Sequence, residues 1–283
     1  MTTRTLAQLV PALEVTEGAG VQVFRSIGTP ARRNLDPFLM LDHFSSSIPD
    51  DYLAGFPNHP HRGFITLTYM LEGHMEHRDS MGNRGDLGPG GAQWMKAASG
   101  VIHSEMPKQI DGLMRGFQLW INLPAAQKMS EPAYRDIPAD EIPVVTENDK
   151  RVKVLAGRYA DRAGPIVDPH TGLTYLDVAL NPDAAFAHSV GANDQVFLFV
   201  FEGSLQIEDR EISSNQLAVL SAGDRVSVRG GRDGARFVLV SGKPLGEPIV
   251  QYGPFVMNTR AEIEQAAADY RDGCLVRRKA AAG

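Results

Sequence analysis

A single cysteine, Cys274, is all the thiol this 283-residue chain contains. That excludes an internal disulfide and any thiolate-built metal site, and it fits a reducing compartment. Long apolar runs are also missing. No segment is long enough to cross a bilayer, and the opening Met1-Thr2-Thr3-Arg4-Thr5-Leu6-Ala7 lacks the apolar core of a secretory signal. A cytoplasmic location is therefore expected. Positive charge is in deficit, 28 Lys and Arg against 34 Asp and Glu for a net charge of -6, which argues against nucleic-acid binding. No stretch signals an interface, so a monomer is the default expectation. What remains is ordinary globular composition, 43% hydrophobic and 22% charged, at a length that suits two domains.

Most of the chain reads as short strands. Val21 to Ile27, Phe64 to Leu71, Phe117 to Leu123 and Val152 to Ala156 alternate or run apolar, rich in β-branched and aromatic residues. Gly82-Asn83, Pro89-Gly90-Gly91 and Gly230-Gly231 punctuate them as turns. Glu131 to Lys150, with Pro132, Pro138, Pro143 and several acids, reads as a connector. Around it the pattern repeats: Tyr69 to Met75 resembles Phe199 to Leu205, Pro89-Gly90 is answered by Ala222-Gly223, and Gln93-Trp94-Met95 by Arg225 to Val228. An internally duplicated β-barrel is the simplest account. The spacing divides the chain into a first barrel (1–135), a linker (136–150) and a second barrel (151–283). Near its end, Thr259-Arg260-Ala261-Glu262 is a capping-box pattern, and Ile263, Ala266, Ala267 and Tyr270 follow helical spacing, predicting a helix from about Arg260 to Asp272.

Chemistry concentrates in two short motifs, His59-Pro60-His61 and His103-Ser104-Glu105. Along a strand, side chains two residues apart share a face. If the two strands face each other inside a barrel, three imidazoles and one carboxylate converge as a metal site. The residues alone leave a second reading open, in which buried histidines hydrogen-bond backbone and Glu105 is a surface acid beside a proline turn. In the second copy the same offset lands on Ser189 and Gly191, and the counterpart of His103 falls near Arg236 and Phe237. Only His188 lies close, so that copy is expected to hold no metal.

Three segments carry a resemblance. Asn34 to Phe44 with its Asp42-His43 pair, Gly55 to Phe64 around His59 and His61, and Gly100 to Pro107 around His103 and Glu105 resemble the pirin family, as does Gly246 to Thr259. Pirins belong to the cupin superfamily, so the resemblance implies an all-β chain of two tandem cupin barrels, each a double-stranded β-helix or jelly roll, with a short C-terminal helix. It also implies one divalent metal ion held in the first barrel by His59, His61, His103 and Glu105. In the usual cupin pattern the acid follows the second histidine by about four residues. Here that position is Ile65, so Glu105 supplies it. Four ligands from one side leave two octahedral positions open, which favours Fe(II) over a closed zinc site, with Ni, Cu, Mn or Zn also compatible with the donors.

By the same resemblance the chain is expected to be a metal-dependent dioxygenase of the quercetin 2,3-dioxygenase kind, opening a flavonol ring with O2, with Glu105 as general base. The alternative is a non-enzymatic, redox-sensing regulator that binds a protein partner such as a transcription factor or pyruvate dehydrogenase. Other polar residues are given smaller roles. His74 and His77 read as solvated turn residues, and Arg62 as half of a surface or inter-barrel ion pair. Asp42 and His43 form a pair that either orients a ligand histidine or is structural. Trp120 reads as core, Gln118 as a donor to a bound ligand, and His170 and Cys274 carry no assignment.

Overall fold

In the computed structural model, which describes residues 1–277, the expected strands are present and the chain is mainly β. It separates into two compact units that interleave along the sequence. One comprises Met1–Leu13, Gly28–Pro37 and Asp140–Pro244, and the other Glu14–Ile27, Phe38–Ala139 and the described residues from Leu245 onward. The C-terminal helix, assigned from sequence to the second barrel, therefore belongs to the unit that carries the histidines.

That unit is built from a seven-stranded and a four-stranded sheet. In the larger, Phe64–Glu72 lies between Ala92–Lys96 and Met114–Asn122, and Phe38–Ser46 borders Met114–Asn122 on its other side. Eight of the nine residues in Phe64–Glu72 are buried, which explains why this strand reads as a continuous apolar run rather than an alternation. In the smaller sheet Phe56–His61 pairs with Val101–Pro107, which pairs with Met75–Asp79, followed by Arg84–Leu87. Val21, Val23, Phe44, Met70, Met75 and Met114 belong to one buried apolar cluster of this unit. The segment expected to be a connector contains a strand, Ala133–Ile137, which pairs with Ala92–Lys96 and extends the larger sheet. Its prolines flank the strand without interrupting its ladder, so the composition misled.

The tail is fixed to this unit by charge as well as by packing. Helix Arg260–Arg271 opens with the complete Thr259/Glu262 capping box and buries Ile263 and Ala266. Arg62, expected at a surface or between barrels, is only 1% exposed; it donates to Ser99 O and pairs with Asp269 of the helix at 2.7 Å. Lys128 is buried too, and its ammonium donates to Gly63 O, Asn122 Oδ1 and Val256 O at 2.7, 2.5 and 3.0 Å. Burial lowers its pKa to about 8, with Glu247 and Glu262 pulling the other way.

The second unit has one large sheet whose central strands, Gln195–Ile207 and Arg225–Gly242, run long enough to serve both halves of a barrel. Val144–Thr146, at the end of the supposed linker, forms its edge against Lys150–Ala156. The duplication is visible in the backbone. Gly73 and its counterpart Gly203 both adopt positive φ, +84° and +64°, at the same bend. Strand register refines the sequence matching. Gly100 corresponds to Gly223, at φ +143° and +152°, and Thr68↔Gln93 corresponds to Leu198↔Ala218. Pro89-Gly90 is thus not the partner of Ala222-Gly223, nor is the strand around Trp94 that of Val226. The offset shrinks from 130 to 125 because seven residues separate paired His77 and Gly85 while two separate paired Ile207 and Arg210, and to 123 because the following loop to Gly223 is shorter too.

Candidate metal centre

Register brings the two motifs together. His103 sits directly opposite His59, and Val101 opposite His61, so all three histidines project from adjacent strands of the small sheet. One nitrogen from each of His59, His61 and His103 lies within 4.8 Å of the others. The His59 and His61 Nε2 atoms are 3.1 Å apart. Two metal–nitrogen bonds of ~2.1 Å at right angles place their donors ~3 Å apart, so this spacing is that of adjacent ligands on one ion.

The hydrogen bonds supply the fit test. His59 Nδ1 lies 2.8 Å from Pro57 O; donating there leaves its Nε2 as a bare lone pair. His103 Nε2 is buried with no hydrogen-bond partner. An orphaned imidazole nitrogen aimed at two others costs free energy unless a cation or water fills the gap. Burial, then the neighbouring imidazoles, drive His61 and His103 well below the usual histidine pKa. Neutral rings are the metal-binding form. The residues fit a divalent cation.

Glu105 lies two residues beyond His103 and is 2% exposed, but it is not in the trio. Its carboxylate accepts from Gln118 Nε2 at 2.9 and 3.1 Å and from Thr68 Oγ1 at 3.1 Å. The shift in register against Phe56–His61 falls on that strand, while the pairing with Met75–Asp79 is unbroken, so Glu105 shares the strand face of His103 and lies one step further along it. Gln118, expected to donate to a bound ligand, is thus engaged with Glu105, and Trp120 Nε1 in turn donates to Gln118 Oε1 at 3.3 Å. Trp120 stacks on Phe64 and meets His61 edge-on, joining core to site.

In front of His59 and His61 opens a cavity of about 600 Å³, whose walls include Met40, Phe56, Gln118, Trp120 and the tail residues Gln251 and Pro254. Arg25, Glu17 and Asp42 line it as well. Arg25 grips Asp42 with two hydrogen bonds, 2.8 and 2.7 Å, and reaches Glu17 at 2.7 Å. Burial opposes charge on the guanidinium, but the two acids outweigh it and hold its pKa above the usual range. Asp42 therefore serves Arg25 rather than a histidine ligand, and His43 stacks on Phe117.

His77 overturns its sequence reading. It is 1% exposed on Met75–Asp79, with Nδ1 3.4 Å from His103 Nδ1 and its ring stacked on Tyr134. The signal was present in Met75-Glu76-His77, whose alternation puts His77 on the face of buried Met75. His74 is exposed, as expected for a turn. Among the described residues no helix is long and apolar enough to cross a membrane.

Two β-barrel units, one with a histidine trio and one without, define a bicupin with a single candidate metal centre among the described residues. Comparison with known proteins sharpens the class: residues 20–121 match the Pirin family model and residues 175–276 the Pirin C-terminal cupin domain. The chain belongs to the pirin family. It is 51% identical over 280 residues to a Pseudomonas aeruginosa protein named "Putative quercetin 2,3-dioxygenase", covering 96% of this chain and 98% of that one. Human Pirin is 41% identical over 266 residues, 92% and 89% of the two chains. The crystal structure of a quercetin 2,3-dioxygenase from Acinetobacter baumannii superposes with a TM-score of 0.90 at 31% identity, covering 97% and 99% of the chains.

Proposed function

We propose that this protein is a metal-dependent dioxygenase that opens the ring of a flavonol-type substrate, one O2 consumed and one carbon monoxide released per turn. The observation that carries the reading is the cavity of about 600 Å³ opening onto His59 and His61. Its volume lies in the range of small-molecule sites, and Trp120, Met40 and Phe56 offer apolar faces to a flat aromatic ring. The names carried by the Pseudomonas and Acinetobacter proteins support an oxidoreductase of this kind. A protein-docking regulator needs no such recess, so we rank that reading second.

His59, His61 and His103 would hold the ion, with Glu105 as a fourth donor after its carboxylate turns from Gln118. When bound, a divalent ion there, Fe(II) first among the metals its nitrogen and oxygen donors accept because open positions would remain for O2 and substrate, would supply a Lewis acid and a redox centre for dioxygen. The remaining work falls to the protein. Released from the ion and held again by Gln118 and Thr68, Glu105 takes the proton of the substrate's enolic hydroxyl. Trp120 orients the ring, and the barrel wall limits water.

The test is reconstitution of purified protein with each candidate metal, followed by loss of flavonol absorbance under air. Turnover in one metal form, abolished by His103→Ala and by Glu105→Ala with the fold intact, is expected. Stoichiometric metal without turnover in any form would transfer the assignment to the regulatory reading. Full turnover in Glu105→Ala would remove the acid from both proposed roles.

A further inference from the structure

The back of the histidine trio is closed by groups that the proposed chemistry leaves unused. His103 Nδ1 faces His77 Nδ1 at 3.4 Å, and His77 Nε2 faces Asp79 Oδ2 at 3.4 Å. Two Nδ1 atoms in contact cannot both be lone pairs or both carry hydrogen without repulsion. Asp79 decides which is which. Its carboxylate accepts from Met81 N, Asn83 N and Asn83 Nδ2 at 2.9, 3.0 and 2.8 Å, and an ionised carboxylate has only acceptors to offer. His77 Nε2 must then carry the hydrogen, which leaves Nδ1 as its lone pair. That lone pair requires a hydrogen on His103 Nδ1. The bare nitrogen of His103 is consequently Nε2, the buried atom with no partner.

We propose that His77 and Asp79 are positioning residues for the metal centre: the chain Asp79–His77–His103 fixes the tautomer and ring angle of one ligand histidine. The inference rests on the reading of the trio as a metal site. It follows the general pattern in which the outer nitrogen of a ligand imidazole donates to a fixed acceptor, here relayed through a second imidazole. The seat of His77 is itself built. Tyr134 stacks on the ring at 4.4 Å, and its hydroxyl lies 2.6 Å from Asp136 Oδ1, an oxygen that also accepts from Gln93. Gly85 stands opposite His77 in the ladder, and a Cβ there would come within 2.0 Å of the Tyr134 hydroxyl.

The experiment uses Co(II) on the full chain, with affinity measured by chelator competition and ring N–H protons followed by paramagnetic NMR. His77→Phe keeps the stacking surface and removes the acceptor. It is expected to weaken Co(II) binding by roughly ten- to a hundred-fold and to hasten solvent exchange of the His103 ring proton, with that of His59 unchanged. His77→Gln, whose amide oxygen can accept, is expected to recover most of the affinity. Asp79→Asn supplies a second route, because an amide donor facing Nε2 inverts the relay; it should weaken binding even if His77→Phe fails to fold. Wild-type affinity in His77→Phe and Asp79→Asn would overturn the relay alone, as would equal losses in His77→Phe and His77→Gln. Failure of the wild-type chain to bind Co(II) would overturn the relay together with the metal site beneath it.

Discussion

The two barrels share a backbone plan and differ where their interiors become polar. Strand register aligns His59 with His188, and His103 with Val226, because His103 faces His59 as Val226 faces His188. Two residues along each strand, His61 meets Val190 and Glu105 meets Val228. Thr68, opposite Gln118, corresponds to Leu198, opposite Leu239, and His77 corresponds to Ile207. Val226, Val228, Leu198, Leu239 and Ile207 belong to one buried apolar cluster, with Val190 packed against it. The difference separates the requirements of the fold from those of the site. A cupin barrel closes well on valine and leucine, so the polar groups in the first barrel are retained at a cost in stability.

The strongest way to break the comparison is to make the first barrel resemble the second. His103→Val should abolish stoichiometric metal uptake by elemental analysis while the melting temperature changes little, since loss of the orphaned Nε2 is offset by a His77 Nδ1 left without its donor. A fall in melting temperature would show that the ring is needed for packing. The reverse graft should be costly. Leu239→Gln places an amide in a dry core without Glu105 or Thr68 to receive it, and denaturant unfolding should show a loss of about 2–4 kcal/mol. Within the first barrel, Gln118→Leu frees the carboxylate of Glu105 from its main donor. Flavonol turnover should fall on the order of ten-fold with metal content unchanged, scored by kcat at saturating substrate.

The smallest expected effect concerns the tail. Gln265 and Arg62 hydrogen-bond Asp269 and hold its carboxyl below the usual range. A carboxyl whose folded pKa is depressed stabilises the fold above its unfolded pKa, and the contribution is lost as pH falls through the folded value. Hydrogen exchange of helix Arg260–Arg271 should therefore quicken below about pH 4, and Asp269→Asn should show the faster rate already at neutral pH.

Period-two spacing was enough to find His59, His61, His103 and Glu105 as two pairs on common faces, and the capping box located the helix to within a residue. What escaped was set by distant partners. His77 looked like part of a turn although Met75-Glu76-His77 alternates; what could not be read was that Val101–Pro107 lies beside it. The strand Ala133–Ile137 was hidden by flanking prolines and acids, and by a pattern without clean alternation, since exposed Arg135 and buried Ile137 fall on the same strand face. The bond from Gln118 to Glu105 spans two sheets, so no spacing rule could reveal it. The counterpart of His103 was misplaced because a fixed offset ignores the shorter second hairpin.

Lys128 gives the tail a meaning beyond that of a lid on a finished barrel. One of its three acceptors is Val256 O, on the same segment that contributes Gln251 and Pro254 to the cavity wall. Trimming the chain before that point would strand a buried cation and open the substrate pocket at the same stroke. Protein engineers who shorten such chains to the half that carries the histidine trio should find that the segment from Leu245 through helix Arg260–Arg271 cannot be dispensed with, because it packs as part of that unit.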